Sequence, residues 1–185
     1  MPRRLSRPEP PLADDAILLE PLDRSHAGEL PWVLDGDPEI RRFTLLPTEP
    51  GPTFLADWLG RYENGWDNGT CAGFAVRAAY GSGTLLGFAA IVNLYLDRAE
   101  GEIGYLLARE ARGRGAATRA VMLLTDWGFA ELGLERLELR IDTENAASVR
   151  VAERAGYRLD GVLRNVHFKE GLRSDTGLWS RLRVD

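Results

Sequence analysis

A chain of 185 residues, 44% hydrophobic and 28% charged, has the length and composition of one soluble globular domain with a single sizeable core. A net charge of −5 argues against a broad nonspecific nucleic-acid surface, and the one cysteine, Cys71, excludes an internal disulfide and a multi-cysteine zinc site. The longest strongly apolar run, 85–92, is too short to cross a bilayer, so no membrane partner is expected.

Residues 1–15 carry Arg3, Arg4 and Arg7 and then Pro8, Glu9, Pro10 and Pro11, with no apolar run behind the basic residues. This is not a secretory signal, and its composition predicts a flexible leader in a cytoplasmic protein, with the folded domain at 16–185. A first strand is expected at 17–22. Residues 24–34 have helical character that Pro31 should interrupt. A turn or short helix follows at 37–43. Phe54, Leu55, Trp58, Leu59 and Tyr62 recur at helical spacing and predict a helix over 52–66, ending among Asn64, Gly65, Asn68 and Gly69. The period then changes. Strands at 72–80 and 84–96, a turn at Gly81, Ser82 and Gly83, and a further strand at 102–108 make an antiparallel meander. A helix over 115–132 carries Ala117, Ala120, Val121, Leu124 and Phe129 on one stripe, with Gly133 as its end. Leu137, Leu139 and Ile141 alternate with charged neighbours in a strand at 136–142. A short helix runs over 145–155 with Asn145 as its N-cap, and closing strands are expected at 157–164 and 176–184. Strands and helices in this order form an α/β (α+β) domain with a mixed, mostly antiparallel sheet and helices on both faces.

Chemistry concentrates at 102–117. A strand runs into Arg112-Gly113-Arg114-Gly115-Ala116-Ala117 and then into a long helix. Two glycines let the backbone approach a ligand, and the helix start offers unpaired N–H groups and the positive end of its dipole. That is an anion site suited to phosphate or pyrophosphate, to which Arg112 and Arg114 could add charge. The nucleoside-triphosphate loop needs Gly-Lys-Ser/Thr, which is absent. The dinucleotide fingerprint needs a third glycine where Thr118 stands, and its strand should not end a meander.

This segment resembles the acetyl-CoA signature Arg/Gln-x-x-Gly-x-Gly/Ala of the Gcn5-related N-acetyltransferases (GNAT). A second segment, Asn145-Ala-Ala-Ser148 running to Ala155-Gly156-Tyr157, resembles the Asn-x-x-Ser…Gly-Phe/Tyr motif of its RimJ/RimL-like branch, typified by ribosomal-protein alanine N-acetyltransferases. The resemblance implies that N–H groups of Arg112, Gly113, Arg114, Gly115, Ala116 and Ala117 hold the CoA diphosphate. It implies that backbone groups of Leu106, Leu107 and Ala108 pair with the pantetheine arm. It also implies a V-shaped splay between the fourth and fifth strands, and Asn145 and Ser148 near the thiol. The cosubstrate would be acetyl-CoA, with no metal. A homodimer is a further expectation, since family members often pair.

Acetyl transfer needs an acceptor for the amine's proton, a donor for the oxygen that becomes negative, and help for the departing thiolate. Glu102 is the candidate base, through water, because it matches a catalytic glutamate of some members; a solvated strand-end carboxylate is the alternative. Ser148 is the candidate donor to the departing sulfur, against a local helix-terminus bond. Ala152 stands where many members carry a tyrosine that protonates the thiolate, and Tyr157 reads as a core residue. The resemblance places Trp32, Trp66, Tyr95 and Trp179 on segments that shape the acceptor cleft, against core packing for each, and with Asn93, which faces the acceptor side, Trp32 and Tyr95 are the candidate acceptor-binding residues. Asp35, Asp37 and Glu39 either attract a cationic amine or form a solvated turn. His26 and His167 lack a ligand cluster, Cys71 reads as a packed residue, and His167, Lys169, Glu170, Gly171 and Arg173 read as a polar hairpin. The expected activity is direct transfer to a primary amine in a ternary complex, the acceptor being a protein or peptide N-terminus or a small amine. The alternative is a noncatalytic acyl-CoA-binding module on the same fold.

Overall fold

The computed structural model describes residues 4–34, 37–47, 49, 51–81, 83–169 and 171–185. Strands β1 (Leu12–Ala13), β2 (Ile17–Pro21), β3 (Ala72–Ala78), β4 (Leu85–Tyr95), β5 (Glu100–Leu107), β6 (Arg136–Asp142), β7 (Arg158–Lys169) and β8 (Leu172–Leu182) form one eight-stranded sheet in the order β1-β2-β3-β4-β5-β6-β8-β7. Helices α1 (Leu30–Leu34), α2 (Pro38–Phe43) and α3 (Phe54–Asn68) precede the meander; α4 (Ala116–Ala130) joins β5 to β6, and α5 (Ala146–Arg154) joins β6 to β7.

Every neighbouring pair is antiparallel except β5 and β6. Those two are parallel, and a parallel pair needs a crossover, which α4 supplies. Their pairing covers only Glu100↔Arg136, Gly101↔Leu137 and Glu102↔Glu138. Beyond Glu102, β5 stays on β4 while β6 follows β8 out to Asp142↔Thr176. The sheet therefore opens in a V between β5 and β6, the expected splay, shifted by one in strand number because Leu12–Ala13 adds a strand.

The core fills both faces. Phe88 packs with Trp58 and Tyr62 of α3 at ring separations of 4.7 and 4.9 Å, and Phe74 packs with Trp66 and Trp127 at 5.2 and 5.4 Å. Trp66 and Trp179 are buried core residues, so neither shapes an open cleft. Cys71 is buried against Gly65, and burial pushes its thiol pKa up, as for an inert packed residue. His26 is also buried, with Nε2 2.7 Å from Glu20 and its other nitrogen on Asp23.

Four segments differ from their sequence reading. The leader packs from Arg4 onward: Leu5 is buried and donates its N–H to the Trp66 carbonyl at 2.8 Å, and β1 pairs with β2. Two apolar anchors outweigh the proline and charge content that suggested mobility. Residues 24–34 divide into a 3₁₀ turn, Arg24–Gly28, and α1; Pro31 stands in the first turn of α1, where its missing N–H has no partner to lose. The helix 54–68 ends on Gly69, whose φ of 75° is the left-handed stop that the glycines there suggested. The last two strands extend into the expected polar hairpin, with His167↔Ser174, Phe168↔Arg173 and Lys169↔Leu172 paired. Gly171 takes φ of 80°; Glu170 lies outside the described residues, as do Arg3, Asp35 and Ser82. Lys169 at the tip donates to the carbonyls of Arg41 and Thr44 at the end of α2. That arm is thus a long, largely exposed ribbon whose tip is strapped to α2.

Candidate active site

The bend that follows β5 is open. A 3₁₀ turn, Arg109–Ala111, uses the Arg112 N–H, which donates to Arg109 at 3.2 Å, so the free amides begin at Gly113. Gly113 and Gly115 adopt φ of 76° and 82°. A Cβ on either would meet nothing within 4 Å, so backbone handedness, not crowding, selects glycine at both. Arg119 makes the first bond of α4, donating to Gly115 at 3.0 Å. The amides of Ala116, Ala117 and Thr118 precede that bond and have no helical carbonyl to reach, and Gly115 supplies no capping side chain. The cradle fits a diphosphate: its donors converge at a helix N-terminus and no packed side chain seals it.

Arg112 turns away from this cradle. Its Nε and Nη2 donate to the Leu107 carbonyl at 3.1 and 2.9 Å, and its guanidinium pairs with Asp37 at 2.6 Å and Glu39 at 2.7 Å. Arg112 is therefore an inward clamp rather than a forked anion donor, and Asp37 and Glu39 are not offered to an acceptor amine. Burial acts to raise the Asp37 pKa, but the N–H of Glu39 and the Arg112 charge outweigh it and hold the carboxyl below its usual range. Arg114 is exposed at the lip. Along β5, the Ala108 N–H donates to Leu86 and the Leu106 carbonyl lies against Gly87, so both residues turn toward β4. Of Leu106, Leu107 and Ala108, only Leu107 directs its backbone to the slot, and Arg112 already holds its carbonyl. The N–H groups of Tyr105 and Leu107 are the ladder positions facing an added strand.

At the other end of β5, Glu102 occupies the last paired position before the fork. The β4–β5 register shifts between Val92 and Tyr95, and Asn93 in that bulge takes φ of 46°, a conformation asparagine tolerates better than most residues. The bulge aims Asn93 Nδ2 at Glu102 Oε2, 2.9 Å away, and Arg140 Nε stands 3.5 Å from the same oxygen. Arg140 also reaches Glu138 at 3.7 Å, which Arg136 holds at 2.9 Å. Arg140 and Glu138 escaped the sequence reading; their alternation along β6 marks a face, but nothing local shows that this face meets Glu102. Tyr95 is exposed beside Arg98. Trp32 is elsewhere. It lines a cleft of about 350 Å³ with Glu29, Arg77, Gly83, Thr84 and Leu85. Leu85 opens β4 and Asn93 lies roughly 26 Å along it at the strand rise, so Trp32 does not join Asn93, Tyr95 and Glu102.

On α5, Asn145 Oδ1 accepts the Ser148 N–H at 3.0 Å, which makes Asn145 the cap that the sequence suggested. The Ser148 side chain is half-buried and faces the Tyr105 hydroxyl. Ala152 is fully buried, so the place of the frequent tyrosine is taken by packing. Tyr157 is a core residue as expected, its hydroxyl 2.8 Å from Thr125 Oγ1.

Residues 16–158 match the acetyltransferase (GNAT) domain model. The chain belongs to the GNAT family. This GNAT chain is 28% identical over 172 residues to YdaF of Bacillus subtilis (strain 168), provisionally named a ribosomal N-acetyltransferase, with 90% of this chain and 89% of YdaF covered. It is 27% identical over 158 residues to spermidine N(1)-acetyltransferase of Escherichia coli (strain K12), covering 84% of this chain and 80% of that protein. Its fold superimposes on the microcin C7 self-immunity acetyltransferase MccE, solved with acetyl-CoA and AMP, with a TM-score of 0.81 at 18% identity, covering 91% of this chain and 93% of that one. The chain is thus an N-acetyltransferase of the GNAT family. Among the described residues, no helix is long and apolar enough to cross a membrane.

The inward course of Arg112 has a measurable consequence for this GNAT loop. Arg112→Met strips the buried Asp37 of its cation, which costs roughly 1–3 kcal/mol and lowers Tm by roughly 2–12 °C. CoA affinity should fall with its salt dependence unchanged. An unaltered Tm with a shallower salt slope would mean that the guanidinium serves the diphosphate directly.

Proposed function

We propose that this chain transfers the acetyl group of acetyl-CoA directly to a primary amine in a ternary complex, with Glu102 as the base and 16–185 as the catalytic domain. The observation that carries this reading is the placement of Glu102 where β5 and β6 part. The slot that begins at the amide cradle ends at this carboxylate. Asn93 and Arg140 both engage Oε2, so Oε1 is the oxygen left to accept the amine's proton through a bridging water. Gly113, Arg114, Gly115, Ala116 and Ala117 bind the diphosphate through their amides, and the β5 backbone holds the pantetheine arm. Ser148 donates to the sulfur that departs. No covalent acyl-enzyme is needed, since the slot brings thioester and amine together and positioning supplies much of the acceleration.

Two acceptor chemistries have support from the relatives: a protein N-terminus, as YdaF's name says, and a polyamine, as the spermidine enzyme's name says. The test is release of CoA thiol from acetyl-CoA in the presence of peptides of varied N-termini or of polyamines, with intact mass locating the added acetyl group. One class should stimulate release well above background hydrolysis. Tight CoA binding with no release for any amine would establish the noncatalytic module instead. Sedimentation of the same preparation tests the homodimer.

A further inference from the structure

Tyr105 was not among the residues that the sequence singled out. It pairs with Ala89 across β4, and strand alternation puts it on the same face as Ile103 and Leu107, the face that α4 covers. Helix α5 packs beside α4, and Ser148 reaches from α5 toward the Tyr105 ring. The Tyr105 hydroxyl is buried and makes no hydrogen bond of acceptable geometry with any described group. Tyr157 provides the internal comparison. It is the more deeply buried residue of the two, and its hydroxyl is satisfied by Thr125 at 2.8 Å. A buried phenol with an idle O–H is costly, and phenylalanine would fill the same space without that cost. Among the described residues, the hydroxyl that Tyr105 faces is that of Ser148, the serine proposed above to serve the departing sulfur.

We propose that Tyr105 is a positioning residue for acetyl transfer: its O–H donates to Ser148 Oγ and turns the serine hydrogen toward the departing sulfur. The inference rests on the role given above to Ser148. When the carbon–sulfur bond breaks, its electron pair stays on sulfur and Ser148 stabilises that charge by a hydrogen bond. Neither hydroxyl gives up its proton. Burial pushes the Tyr105 pKa up to about 12, which keeps it a donor throughout the working pH range. The pair supplies from two elements what Ala152 cannot supply from α5 alone.

Tyr105→Phe, Ser148→Ala and the double variant test this, with kcat, KM for acetyl-CoA and Tm measured on each. Tyr105→Phe keeps the ring, so Tm should hold or rise, while kcat falls about tenfold at unchanged KM, the worth of one oriented hydrogen bond. The double variant should be no slower than Ser148→Ala. Wild-type kcat in Tyr105→Phe beside an impaired Ser148→Ala overturns the Tyr105 role alone. A Tyr105→Phe loss that persists in the Ser148→Ala background, or one confined to KM, overturns it as well. Wild-type turnover in Ser148→Ala removes both roles, and absence of thiol release by the wild-type enzyme removes the transfer reading with them.

Discussion

Glu102→Gln should lower kcat about a hundredfold, the lower end of what a positioned base contributes. The substitution keeps the side chain's length and leaves an oxygen for Asn93 to donate to, so the fork should hold its shape. The KM for acetyl-CoA should stay near the wild-type value. Leu107, at the cofactor end of β5, is roughly 16 Å along the strand from Glu102. The pH profile carries the sharper test. An amine must be neutral to attack, and its neutral fraction rises about tenfold per pH unit below the amine's own pKa. Wild-type enzyme removes the proton at Glu102; the variant must wait for solvent to do so. The gap between the two should narrow steadily as pH rises toward the acceptor's pKa. A variant with wild-type kcat, or a constant gap at every pH, would leave Glu102 as a strand-end carboxylate and send the search for the base elsewhere.

What the sequence made legible is what neighbours in the chain determine. The strand at 136–142 is found with the bounds inferred from it, because alternation of Leu137, Leu139 and Ile141 with charged residues admits one period. The glycine turn is equally local: Gly113 and Gly115 take left-handed φ values within a few residues of the amides they free. What escaped depends on partners distant in sequence. Arg112 stands in the cofactor signature, yet Asp37 and Glu39 from α2 decide where it points. Arg140 and Glu138 meet Glu102 only because β6 lies parallel to β5 at the fork. Trp32 is an aromatic on a plausible segment, but α1 docks at the opposite end of β4 from Asn93. Leu5 and Leu12 were too few to register as periodicity, although each finds a place against the core. Pattern reading finds elements and local turns; it cannot find which side chains of two such elements converge.

The glycine turn therefore offers the most decisive test of the cofactor site. Gly115→Val should weaken CoA binding by about a hundredfold or more while the domain stays folded. At φ 82°, a β-branched residue costs about 1–2 kcal/mol. The empty space around the position means that no clash adds to this cost. The strain is relieved when the residue swings to negative φ, and that swing rotates the amides of Ala116 and Ala117 off their common focus. Each lost bond to a charged oxygen is worth about 1.5–3 kcal/mol, so two account for the expected drop. The bend is exposed, and the loss of Tm should be small beside the loss of affinity. Gly115→Asn separates backbone handedness from side-chain bulk, because asparagine enters the left-handed region readily. It should keep affinity within several-fold of wild type although it adds a larger polar group at the same lip. Equal losses in the two variants would make bulk the cause, and wild-type affinity in Gly115→Val would mean that the diphosphate is held by some other part of the chain.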